Sequence, residues 1–214
     1  MPRKKRVWYP GAIYHVMNRG NGRHIIFKEE SDYCDFLECL AKTKEKYPFK
    51  VHALCLMTNH FHIVIETAEV EIWKIMHHLQ LTYAANYNNK YKQTGHLFGN
   101  RYVGKLIMND RYFLEVSRYI HLNPVKAMMV SDPAEYKYSS YAVIVTGGAE
   151  RPRGKISELI AEVVDTSRIY GYYGSINDDP QEQYRRFVED KMSHEEQEKL
   201  IMDDMGENEL WLPE

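Results

Sequence analysis

Leu56-Met57-Thr58-Asn59-His60-Phe61-His62-Ile63-Val64-Ile65-Glu66 is the stretch on which the fold turns. Its apolar, β-branched run reads as a strand, and residues two apart on a strand point the same way. His60 and His62 therefore share one face, with Phe61 on the other. Two imidazoles on one rigid face make half of a metal site. Strand histidines also serve as hydrogen-bonded packing residues, and on the pair alone that is the readier explanation. Residues 51–57 form a second apolar run, and Thr58-Asn59 is the turn region between them, so the two runs form an antiparallel hairpin.

Upstream, residues 12–17 read as a first strand, closed by the turn formers Asn18-Arg19-Gly20-Asn21-Gly22-Arg23. This loop lacks the third glycine and the immediate helix of a dinucleotide fingerprint. Across residues 29–47, Tyr33, Phe36, Leu37 and Leu40 recur at helical spacing, with acidic residues at the start and Pro48 beyond the end. Ile72, Ile75, Met76, Leu79 and Tyr83 mark a second helix over residues 69–92, ended by Gly95. Its neighbours His77 and His78 lie about 100° apart around the axis and do not readily share a metal. Residues 97–108 supply a fourth strand carrying Arg101 and Lys105. Asp110 then reads as the N-cap of a third helix running to about Leu122 and stopped by Pro124.

The order βαββαβ plus one helix predicts an α+β, ferredoxin-like antiparallel sheet with helices on one face. The other face is expected to be open to single-stranded nucleic acid. Past Tyr141 the pattern weakens. Residues 147–152 read as a linker, and residues 156–164 and 181–191 as helices, which divides the chain into a main domain over 1–141 and a linker with an acidic accessory region over 142–214.

A chain of 214 residues, 44% hydrophobic and 27% charged, fits one soluble domain with an extension and excludes a repeat array or a disordered chain. The net charge of −2 hides an asymmetry. Residues 1–130 hold 19 Lys and Arg against 11 Asp and Glu, and residues 131–214 hold 9 against 19. The basic part suits a polyanion, while the acidic part reads as a solvated surface. Cys34, Cys39 and Cys55 have neither metal spacing nor an even count, so a cytoplasmic location is expected. No apolar run reaches the length of a membrane span, and the start Met1-Pro2-Arg3-Lys4-Lys5-Arg6 lacks the core of a secretion signal.

The third helix carries Ser117-Arg118-Tyr119-Ile120-His121-Leu122-Asn123-Pro124. Tyr119 and Asn123 are four apart and so lie on one face, which delivers a nucleophile and a ligand together. Two imidazoles and one carboxamide oxygen leave room for phosphate and water around Mg²⁺ or Mn²⁺. Tyr112, two turns earlier, and Tyr102 compete with Tyr119. Arg23 and Arg101, with Lys105 and Arg118, are candidate phosphate contacts around the site, and His15 and His121 read either as outer partners of the ligands or, more readily, as hydrogen-bonded core residues.

These segments, together with Tyr9-Pro10-Gly11-Ala12-Ile13-Tyr14-His15-Val16 and Gly95-His96-Leu97-Phe98, resemble the REP-associated tyrosine transposases. That group is related to the single-strand insertion-sequence transposases of the histidine-hydrophobic-histidine endonuclease superfamily, and the likeness spans residues 2–141. The resemblance implies a metal-dependent endonuclease and strand transferase acting on single-stranded DNA, often hairpins of repetitive extragenic palindromes. By position it makes His60, His62 and Asn123 the ligands of Mg²⁺ or Mn²⁺, and Tyr119 the nucleophile that forms a 5′-phosphotyrosine. Insertion-sequence relatives carry Gln where Asn123 stands and exchange the nucleophile helix between two subunits, whereas the longer chain here leans towards a monomer. The alternative from another class is a non-catalytic single-stranded nucleic-acid binder on the same fold, whose function would survive chelation. A hydrolase without a covalent step would release nicked DNA and trap no protein.

Overall fold

The computed structural model describes residues 7–147, 154–174 and 179–190. Four strands, β1 (Ile13–Arg19), β2 (Phe49–Met57), β3 (His60–Thr67) and β4 (Val103–Ile107), form one sheet in the order β2-β3-β1-β4. Every neighbouring pair is antiparallel. With α1 (Glu30–Lys46) after β1 and α2 (Ile72–Tyr91) after β3, the chain follows the expected βαββαβ order. Met57 pairs with His60 across Thr58-Asn59, so the hairpin turn is as short as the sequence indicates. β4 is shorter than expected. Phe98 only bridges Gly20, and Arg101 lies in the loop before the strand.

Alternation along β3 sends Phe61, Ile63 and Ile65 into a core shared with Phe36 and Leu40 of α1 and Leu79 of α2. Each such side chain contributes about 1.5–3 kcal/mol on full burial, so a one-residue slip of β3 would forfeit three of them together. A bulge between Val51 and Ala53 in β2 breaks the strict alternation, which is why Val51 and Leu54 both reach this core.

The opposite face is not open as expected. α3 (Asp110–Lys126) lies across it, with Phe113, Val116 and Ile120 joining Ile13, Ala53, Val64 and Ile107 in a second core. The physical reason is that these strands are apolar on both faces, so the second face also needs a cover. α4 (Tyr141–Thr146), α6 (Ser167–Gly174) and α7 (Pro180–Glu189) add residues to this second core. α5 (Lys155–Val163) places Ile156, Ile160 and Val163 in the first. Two of these four helices, α5 and α7, match the helical stretches read from the sequence, and the chain after Tyr141 contributes to both cores.

The ends of α3 also differ from expectation. Asn109, not Asp110, is the N-cap, its Oδ1 accepting from the Tyr112 amide at 2.8 Å. The helix continues through Pro124 into a last turn in which Ala127 N–H donates to the Asn123 carbonyl at 2.9 Å. The basic start, most of the expected linker and residues 191–214 lie outside the described residues. Among the described residues, no helix is long and apolar enough to cross a membrane.

Candidate active site

Strand register assembles the site. β1 and β3 pair Met17 with His62 and Arg19 with His60, and β1 and β4 pair His15 with Lys105. By alternation, His15, Arg19, His60, His62 and Lys105 share the face that α3 crosses. The Tyr119 ring sits edge-on to His62 at 5.6 Å and to His15 at 6.1 Å between centroids. The His60 and His62 rings stand nearly perpendicular, 5.1 Å apart. One turn beyond Tyr119, Asn123 Nδ2 donates to the Tyr119 carbonyl at 2.9 Å, so its amide oxygen is the side-chain atom not engaged in that bond. Lys126, two turns from Tyr119 on the same helix, holds its Nζ 4.8 Å from the Tyr119 ring centroid. The helix thus brings Tyr119 to the histidine pair and carries Asn123 beside it.

Electrostatics keep the rings neutral. Burial pushes His60 down to about 4, helped by the Arg19 charge. Burial, with His60, His15 and Arg19 nearby, holds His62 well below the usual histidine range. His15 falls to about 3 through burial and the Lys105 charge. Neutral imidazole is the form that binds a metal, so two such rings plus the Asn123 amide oxygen fit a divalent cation whose remaining positions go to water or phosphate. Among the described residues, no group of three His, Cys, Asp or Glu side chains is disposed to hold a metal, so this set depends on the asparagine.

The basic residues divide. Lys105 lies on the site face, and Arg19 ends β1 opposite His60. Arg23 and Arg101 are exposed on two loops that meet at that end of the sheet. Asn21 N–H donates to the Leu97 carbonyl at 2.8 Å, and Asn18 Nδ2 to the Asn100 carbonyl at 3.0 Å. Gly20 is required at this junction, because a Cβ there would lie 2.1 Å from the His24 carbonyl oxygen. Arg118 corrects the sequence reading. It is 2% exposed, its guanidinium donates to the Phe187 carbonyl and pairs with Glu115, and it stacks 3.8 Å from the Phe187 ring centroid. It anchors α7 to α3, and its guanidinium is engaged inside the protein rather than on the surface.

Tyr102 and Tyr112 are buried in the two cores, which leaves Tyr119, half-buried, as the tyrosine facing the histidines. His121 is a core residue bridging the Tyr184 hydroxyl and Ser140 Oγ, each at 2.8 Å. Two site residues went unread in the sequence. Asn59 Oδ1 lies 2.7 Å from His60 Nδ1, and Lys126 covers Tyr119; adjacency to His60 and a seven-residue helical offset were the available signals.

A histidine-hydrophobic-histidine strand beneath a helix-borne tyrosine, on an antiparallel βαββαβ sheet, has the layout of the tyrosine transposase class. The family model described as "Transposase IS200 like" matches residues 9–123, from the segment before β1 to Asn123, and the chain belongs to that family. A Haemophilus influenzae protein named as a REP-associated tyrosine transposase is 27% identical over 124 residues, 52% of this chain and 70% of its own length. The solved structure of a REP-associated tyrosine transposase bound to a REP hairpin has the same fold, with a TM-score of 0.60 at 17% identity over 70% of this chain and 88% of that one.

Proposed function

We propose that this protein is a metal-dependent single-stranded DNA endonuclease and strand transferase that works through a 5′-phosphotyrosine on Tyr119, with REP-type hairpins as substrate. The observation that carries the reading is the docking of the Tyr119 ring 5.6 Å from His62 on the histidine face. His60, His62 and Asn123 would hold Mg²⁺ or Mn²⁺, and the ion, when bound, supplies positive charge at the scissile phosphate.

The chain's own groups do the rest. The Tyr119 oxygen attacks phosphorus, the new O–P bond forms as the bond from phosphorus to the 3′-oxygen breaks, the phenol proton passes to water, and the departing 3′-oxygen takes up a proton. An unperturbed phenol has a pKa of about 10 and needs help to lose its proton, and the Lys126 Nζ over the ring is the cation placed to give it. The covalent link conserves the phosphoester, and a second 3′-hydroxyl can displace the tyrosine and rejoin strands. Arg23 and Arg101, exposed where the two loops meet, guide the DNA backbone, whereas Lys105 Nζ is buried on the site face.

Labelled single-stranded hairpins from the flanking genome, incubated with the protein and Mn²⁺, should give a covalent adduct on a denaturing gel that vanishes in Tyr119→Phe and with chelator. An adduct that persists in Tyr119→Phe, or cleavage without any adduct, would sink the proposal.

A further inference from the structure

Each histidine of the pair has a partner at Nδ1. The Asn59 side chain donates from Nδ2 to the Arg23 carbonyl at 3.2 Å and lies with Oδ1 2.7 Å from His60 Nδ1. An amide that donates through its nitrogen on one side presents its oxygen on the other. His60 Nδ1 is therefore the donor, and its lone pair is on Nε2. His62 Nδ1 meets His15 Nε2 at 3.0 Å, and one proton fits between those two nitrogens. His15 is buried on β1 at the register position of Lys105, and its Nε2 faces His62 Nδ1 across that single proton. Two arrangements remain. In one, His15 accepts and His62 keeps its Nε2 lone pair; in the other, His15 donates and the His62 proton sits on Nε2, closing that nitrogen to any ligand.

We infer that His15 and Asn59 are positioning residues that fix His62 and His60 as Nδ1–H tautomers, so that both Nε2 lone pairs are set before any ligand arrives. This rests on the reading of His60 and His62 as metal ligands, whose ring orientation outer partners commonly set. Asn59 does more than orient a ring. Through the Arg23 carbonyl it ties His60 to the exposed loop that carries Arg23.

The test uses the metal-free full chain with ¹⁵N-labelled histidine, reading each ring's tautomer by long-range ¹H–¹⁵N correlation. The expected result is Nδ1–H for His15, His60 and His62, with mixed His62 tautomers in His15→Leu and mixed His60 tautomers in Asn59→Leu. His15→Gln, whose amide oxygen can accept from His62, should restore the single form. Mn²⁺ affinity, measured by titration, should fall about 10- to 100-fold in the two leucine variants and recover in His15→Gln. An Nε2–H form of His62 in the wild type overturns the inference. If His62→Ala leaves Mn²⁺ affinity unchanged, the ligand reading fails; if it lowers affinity while His15→Leu does not, the reading stands and this inference fails.

Discussion

Arg118→Ala tests the account of α3 most directly. The buried guanidinium donates from Nε to the Phe187 carbonyl at 2.7 Å, pairs with Glu115 at 3.4 Å and stacks on Phe187. Truncation strips that carbonyl of its donor, which costs about 1–3 kcal/mol, and leaves a buried carboxylate without its cation, which costs about 3–5 kcal/mol. Burial already pushes the Glu115 carboxyl up against the pull of Arg118 and Arg111, so the variant recovers part of the loss by protonating it. These contributions overlap because they belong to one network, and a net loss of about 3 kcal/mol is expected. At roughly 2–4 °C per kcal/mol for a chain of this size, Tm should fall by about 6–12 °C. Single-stranded DNA binding, followed by anisotropy across a salt series, should keep its slope of log affinity on log salt. A phosphate contact would do the reverse, leaving Tm unchanged while flattening the slope by about 0.7. That second pattern would refute the assignment of Arg118 to packing.

Asp32 accepts from the Lys28 and Glu29 amides, from Lys90 at 2.6 Å and from Tyr91 at 2.8 Å. Burial raises its pKa and these bonds outweigh that, with a net shift below the ordinary value. Asp32→Asn should cost about 2 kcal/mol at neutral pH in urea unfolding. Because the folded carboxyl has the lower pKa, its contribution is complete above about pH 4 and is lost as pH falls through the folded value; a gap between the two proteins that stays constant down to about pH 3 would contradict this. Lys126→Gln should slow adduct formation near neutral pH and move its pH profile to the alkaline side while DNA affinity holds, and a rate profile matching the wild type would remove Lys126 from the chemistry.

The hairpin, the helices on either side of it and the βαββαβ order were legible because side-chain period and a two-residue turn are local facts. The covered second face was legible in principle. Residues 51–57 are apolar at nearly every position, which is how a strand buried on both sides reads, yet the histidine pair drew that face towards solvent. Arg118 could not be read, since a charge in a helix looks solvated and its partner Phe187 lies 69 residues away. α4 and α6 are too short for periodicity to accumulate. Tyr112 and Tyr119, seven apart, look alike along the chain, and only the docking of α3 separates a core residue from one that faces the histidines. Asn59 was passed over because its role as a turn residue already accounted for it.

β3 uses one backbone for two purposes, with Phe61, Ile63 and Ile65 holding the core from one side while His60 and His62 face α3 from the other. Evolution can therefore tune the chemistry here by substitution but cannot slide it along the strand, because moving the pairing by one residue would drive both imidazoles into the core in place of Phe61. A change that loosens the hairpin would therefore displace both histidines while leaving every residue of the motif in place.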